Sequence, residues 1–206
     1  MSDLFRYDNP VWKFMGRIAD LFLLTLLWTL FSLPVVTIGA SSSALYYVNL
    51  KMAENHDDSI VMAYVKAFRD NFTFSLPVWL ILLSVGGILG ADYAVLIRAG
   101  SPEAKVFFWI LLLPALLYLL MLTLIFPLEA RLDTDRRHLF AMAFMVGVKN
   151  ISWVFFMLVI TLCVTALGVF VFWPVLLIGT GLTAYLHSQI LVRAVFPRYG
   201  WNEPEP

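Results

Sequence analysis

The chain has 206 residues, of which 61% are hydrophobic and only 14% charged, against about a quarter charged in an average soluble domain. That composition excludes a single water-facing globule and points to a polytopic membrane protein. Fourteen Lys and Arg balance fourteen Asp and Glu, so a general attraction to nucleic acid is excluded as well.

Residues 1–17 interleave Phe5, Trp12, Phe14 and Met15 with Arg6, Lys13 and Arg17, a mixture suited to the headgroup level. Asp3 and Asp8 beside those cations favour a retained anchor over a cleaved signal peptide. An uncharged stretch then covers residues 21–50 and is interrupted by Pro34-Val35-Val36-Thr37-Ile38-Gly39. Proline disfavours helix in the residue before it and glycine permits close approach, so the motif predicts a turn between two membrane segments. A near-copy, Pro174-Val175-Leu176-Leu177-Ile178-Gly179, interrupts the last apolar run, and Ala44 then aligns with Ala184. Pro34, Gly39, Pro174 and Gly179 are therefore the expected structural motif.

After a polar stretch at 51–57, Asp58 or Ser59 is the expected N-cap of an amphipathic helix. Its apolar side is Ile60, Tyr64, Phe68 and Phe72, with Lys66, Arg69 and Asp70 opposite. The next span carries Gly86 and Gly90 at GxxxG spacing, which predicts a tight helix crossing within the chain, a dimer contact being the alternative. A short polar turn at 98–105 leads into a returning span with Pro114 as its expected kink. Residues 128–138 form the densest charged patch, and a second amphipathic stretch follows with Phe140, Phe144 and Val148. Residues 151–186 carry no charge; one helix of that length would measure about 54 Å, so two spans meeting at Trp173-Pro174 are expected. The tail from Arg193 is aromatic and proline-rich and is expected at the surface.

The predicted fold is all-α, a single integral membrane domain over 1–206. Its six membrane segments lie at about 18–33, 35–50, 73–97, 106–127, 151–173 and 175–192. They form three hairpins, each preceded by an interfacial amphipathic segment. Twelve of the fourteen Lys and Arg then fall on one side, leaving Arg98 and Lys105 opposite, which places both termini in the cytoplasm.

Little in the sequence carries chemistry. It has no phosphate-cradling glycine loop, no His-Glu-x-x-His, no paired cysteines and no nucleophile elbow, so a non-enzymatic protein without cofactor or metal is expected. Asp133, Asp135 and His138 share their loop with Arg131, Arg136 and Arg137, and three cations disfavour a bound metal ion. Those arginines are instead the candidate partner contact. Asp20, Asp92, Glu129 and His187 map near a membrane face, where anchoring outweighs proton relay. Cys163, the lone cysteine, reads as a packing residue.

Three runs carry a family resemblance. They are the opening Leu4-Phe5-Arg6-Tyr7-Asp8-Asn9-Pro10, the stretch Leu33 onwards through Ala40 with Ala44-Leu45-Tyr46-Tyr47, and Ala67-Phe68-Arg69-Asp70-Asn71-Phe72. In these motifs, and in segment order over most of its length, the chain resembles the YesL-type family of bacterial membrane proteins. The resemblance implies a bacterial cytoplasmic-membrane location and an association with carbohydrate-uptake systems. It implies no activity and no site residues. Expected partners are the bilayer and either transporter subunits or a second copy of the chain, with a small carrier or channel as the alternative function.

Overall fold

Two proline turns fold the apolar runs back on themselves. The computed structural model describes residues 10–54 and 59–201; the opening at 4–9, the N-cap candidate Asp58 and the end of the tail lie outside them. Every regular element among the described residues is helical. Helix α1 (Pro10–Phe31) and α2 (Ile38–Ala53) enclose the first turn, whose 3-10 segment is Val35–Thr37. The Thr37 hydroxyl lies 2.6 Å from the Phe31 carbonyl and 2.7 Å from that of Pro34. It thereby covers acceptors that the end of α1 leaves without a helical partner. The second copy has Leu177 at this place and so lacks the tie.

Helix α3 (Ile60–Ala99) is 40 residues long, about 60 Å at 1.5 Å per residue. The amphipathic stretch 60–72 is therefore not a separate interfacial segment: it continues unbroken into the span. Residues 72–76 contain no helix breaker, and Pro77 is tolerated because the carbonyl it deprives finds another donor. Proline lacks an N–H, so the Thr73 carbonyl loses its partner four residues on, and Arg136 Nη2 donates to that oxygen at 3.1 Å. Ser59 occupies the N-cap position without a side-chain capping bond.

Helix α4 (Pro102–Glu129) starts on a Ser101 cap, whose hydroxyl accepts from Ala104 N–H, and passes through Pro114 and Pro127 without ending. Helix α5 (Arg136–Lys149) and α6 (Ile151–Ala166) meet at Asn150. The Asn150 amide donates to Val146 O and Tyr199 Oη, each at 2.9 Å, and its oxygen accepts from Arg198. A π-helical turn, Leu167–Val171, prolongs α6 to the second proline turn at Trp173–Val175, after which α7 (Leu176–Ile190) returns.

The chain does not become a surface tail at Arg193. Helical turns continue through Val195 and Phe196–Tyr199, and both Val195 and Phe196 are buried. Aromatic burial decides this: Phe196, Tyr199 and Trp201 pack on one another and against the α4–α5 connection.

Among the described residues, four helical segments are long and apolar enough to cross a membrane: Ile60–Ala99, Pro102–Glu129, Ile151–Val171 and Trp173–Tyr199. Helix α2 has 16 residues, about 24 Å, which falls short of a ~30 Å hydrocarbon core. The core divides in two. One cluster joins α1 and α2 to Tyr64 and Ala67 of α3 and Ala184 of α7; the other joins α3, α4, α5, α6 and the chain's end. Beyond them α3 and α4 run on as a two-helix arm, where only Ala104 is buried between residues 83 and 118. Large apolar side chains cover that arm, as a lipid environment requires.

Candidate functional site

The polar interior of the bundle has three centres. The first is Glu129, the last residue of α4, only 6% exposed. Ser75 of α3 donates to its Oε1, and Ser43 of α2 lies beside the carboxyl. No cation lies within ion-pair distance among the described residues. One side chain thus ties α4 to α3 at the charged end of the bundle, with α2 alongside. Glutamine keeps the acceptor for Ser75 and offers an N–H toward Ser43, so Glu129→Gln is expected to melt within about 1 kcal/mol of the unaltered protein. Glu129→Ala strands Ser75 and is expected to cost about 2 kcal/mol. Equal thermal stability of the two variants in detergent would show that the tie does not hold the helices.

Two residues on, Arg131 occupies a buried corner. Its Nη1 lies 2.7 Å from Glu54 Oε1, with the two side chains 5% and 11% exposed. Its Nη2 and Nε donate to the Trp201 carbonyl at 2.7 and 3.2 Å, and its guanidinium lies over the Phe196 ring. Arg136 is exposed but holds the proline-freed Thr73 carbonyl and lies over Phe74. Arg137 is exposed and makes no such contact. The three candidate arginines therefore have different surroundings, and only Arg137 is exposed without such a contact. Beside them opens a cleft of about 470 Å³, lined by Lys66, Asp70, Asn71, Asp133 and Thr134 with Glu129 among its walls.

The second centre is His187 on α7, buried between three helices. Its Nε2 sits 2.9 Å from the Met157 carbonyl, which only accepts, so Nε2 carries the proton. Nδ1, 2.9 Å from Tyr46 Oη, then accepts from the tyrosine. Both ring nitrogens are satisfied by α2 and α6, which makes this residue an anchor of the bundle. Asp92, by contrast, stands exposed on the arm, and Cys163 is exposed on α6.

The third centre is a cavity of about 410 Å³ between the tip of the first hairpin, α3, α4, α6 and α7. Trp28, Trp79, Leu122 and Phe126 form apolar walls, and Ser42, Thr165, Thr180 and Thr183 contribute hydroxyls. Gly179 is on its lining, and a Cβ there would meet only Val164 Cγ1 at 3.6 Å. Its counterpart Gly39 is different: a Cβ would come within 2.5 Å of Trp79 Cβ. Pro34 is exposed and Pro174 half-buried at the two turns. Gly86 receives the Tyr118 side chain of α4, whereas Gly90 has nothing near it.

The first hairpin and most of α3 carry a comparison with known proteins. Residues 21–93 match the DUF624 family model, a protein family of unknown function. DUF624 is the family that contains YesL-type proteins. The DUF624 match takes in Gly39, Ser43, Ser75 and Trp79 and ends before Glu129, Arg131 and His187. No curated protein and no solved structure matches the chain.

Sequence reading missed Ser43, Ser75, Glu54 and Trp201 as partners of the charged end. Their only local signal is a small hydroxyl or a charge at a helix end, and nothing local pairs positions as distant as Ser75 and Glu129. Among the described residues no group of His, Cys, Asp and Glu is arranged to hold a metal ion.

Proposed function

We propose that this chain is a non-enzymatic component of a bacterial cytoplasmic membrane, acting by contact as an accessory to carbohydrate uptake. The proposed topology has six membrane segments with both termini cytoplasmic. The observation that carries the contact reading is the cleft beside Glu129, with Lys66, Asp70, Arg131 and Asp133 on its walls and the exposed Arg137 a few residues further along the chain. It gathers charge of both signs at one end of an otherwise apolar molecule, which suits recognition of a polar partner loop. The carbohydrate association comes from the resemblance to the YesL-type family. A second copy of the chain is the other partner the arrangement admits. A carrier is the second reading, favoured by the hydroxyl-lined cavity among the helices.

One experiment addresses side and contact together. In a Cys163→Ser background, Ser101→Cys should react with a membrane-impermeant maleimide in intact cells, and Arg137→Cys only after permeabilisation. With a photocrosslinker attached, Arg137→Cys should then yield an adduct containing a transporter subunit. Absence of any adduct, together with saturable solute flux by the purified protein alone in liposomes, would replace this reading with the carrier.

A further inference from the structure

Three threonine hydroxyls on the cavity lining lack the back-bond that four other helical threonines make. Thr25, Thr29, Thr123 and Thr161 each donate to the carbonyl four residues earlier, at 2.8–3.1 Å. That back-bond is how a threonine normally settles in a membrane helix. Thr165, Thr180 and Thr183 make no hydrogen bond within the described chain, and all three line the cavity. Ser42 accepts from Trp28 Nε1 at 3.1 Å and keeps its own O–H available. Four donors thus converge on one space where an unmet hydroxyl is costly. Tyr46 and Thr161 on the lining already have their hydroxyls bonded, to His187 and to the Met157 carbonyl; the other walls are apolar, and no charged side chain is among the lining residues.

We propose that this cavity binds an uncharged acylglycerol-type amphiphile drawn from the bilayer. Ester carbonyls and a glycerol hydroxyl supply acceptors for the four donors. The acyl chains lie against Trp28, Trp79 and the aliphatic walls. A phosphate or ammonium headgroup is disfavoured, because a charge placed there would have no counter-charge in low dielectric. A free polyol is disfavoured because most of its hydroxyls would face carbon. Entry is from lipid: Thr165 and Leu176 on the lining are themselves exposed, on a face without charged residues. The inference does not depend on the partner contact proposed above, which lies at the charged end.

The test uses the full chain in phosphatidylglycerol nanodiscs with a diacylglycerol analogue carrying a diazirine on its acyl chain. Photolabel is expected on peptides from α6 and α7, to be displaced by unlabelled diacylglycerol, and to resist excess phosphatidylglycerol or soluble hexose. The variant Thr165→Val/Thr180→Val/Thr183→Val should label about tenfold less or weaker still at limiting probe, since one lost hydrogen bond weakens binding about fivefold. That variant should melt no lower than the unaltered protein, because each valine removes a hydroxyl that has no partner. If it fails to fold, Thr180→Val alone and displacement from the unaltered protein decide. Label spread evenly over the 83–118 arm overturns the proposal. So does unchanged labelling of a folded valine variant, or equal displacement by phosphatidylglycerol or hexose.

Discussion

Arg131→Gln is expected to destabilise the protein by about 3–5 kcal/mol, the usual result of stranding one member of a buried ion pair. Arg131 and Glu54 are almost wholly buried and 2.7 Å apart. Glutamine would leave the Glu54 carboxylate without its cation and the Trp201 carbonyl without its two donors. The same change releases the end of the chain, since Phe196 packs under the guanidinium. Arg137→Gln, at the exposed second residue of α5, is expected to change stability by less than about 0.5 kcal/mol. The double variant Glu54→Gln/Arg131→Gln should recover part of the loss, because it removes the uncompensated charge. Thermal unfolding in detergent, followed by tryptophan fluorescence, measures all three. A single Arg131→Gln variant as stable as Arg137→Gln would show that the buried corner does not hold the chain's end.

The second large effect is steric. A Cβ at Gly181 would lie 2.5 Å from the Leu21 carbonyl oxygen of α1, and the Gly181 N–H donates to Thr25 Oγ1 at 3.0 Å. Backbone atoms cannot swing aside, so Gly181→Leu must push α7 off α1. Gly39→Leu likewise drives α2 from Trp79 Cβ and the Ser75 carbonyl. Each is expected to cost about 3 kcal/mol or more, at the upper end of overpacking effects. Gly179→Ala has room, with its nearest neighbour at 3.6 Å, and should be nearly neutral. The measurement is the melting temperature of the three variants side by side. If Gly179→Ala falls as far as Gly181→Leu, the distinction between packed and open glycines fails.

This contrast shows where a motif in sequence stops short of a motif in space. Pro34 and Pro174 both turn the chain, because a proline acts on its own neighbours wherever it stands. The two glycines that follow them look equivalent in sequence and are not. What surrounds Gly39 is α3, and what surrounds Gly179 is largely an open cavity. The glycine that α7 actually needs against α1 is Gly181, which the near-copy does not flag. Similarly, Gly86 and Gly90 share one spacing, yet only Gly86 meets a neighbour, the Tyr118 side chain.

The sequence by itself determined the solvent, the helical class and the turns. Each depends on local quantities: apolar fraction, run length, and the backbone limits of proline. It also placed Glu129 and His187 as anchors, because an ionisable group near a membrane face usually needs a partner. Only the tertiary structure decided who those partners are. It joined Glu129 to Ser75, His187 to Tyr46 and Met157, and Arg131 to Glu54 and Trp201. It also decided that α3 stays whole through Pro77, since the rescuing donor, Arg136, lies 63 residues away. Contacts between distant segments depend on how helices cross and which faces they bury. Local periodicity carries no record of that, so a charged loop read as an outward patch became, at Arg131, the inside of the fold.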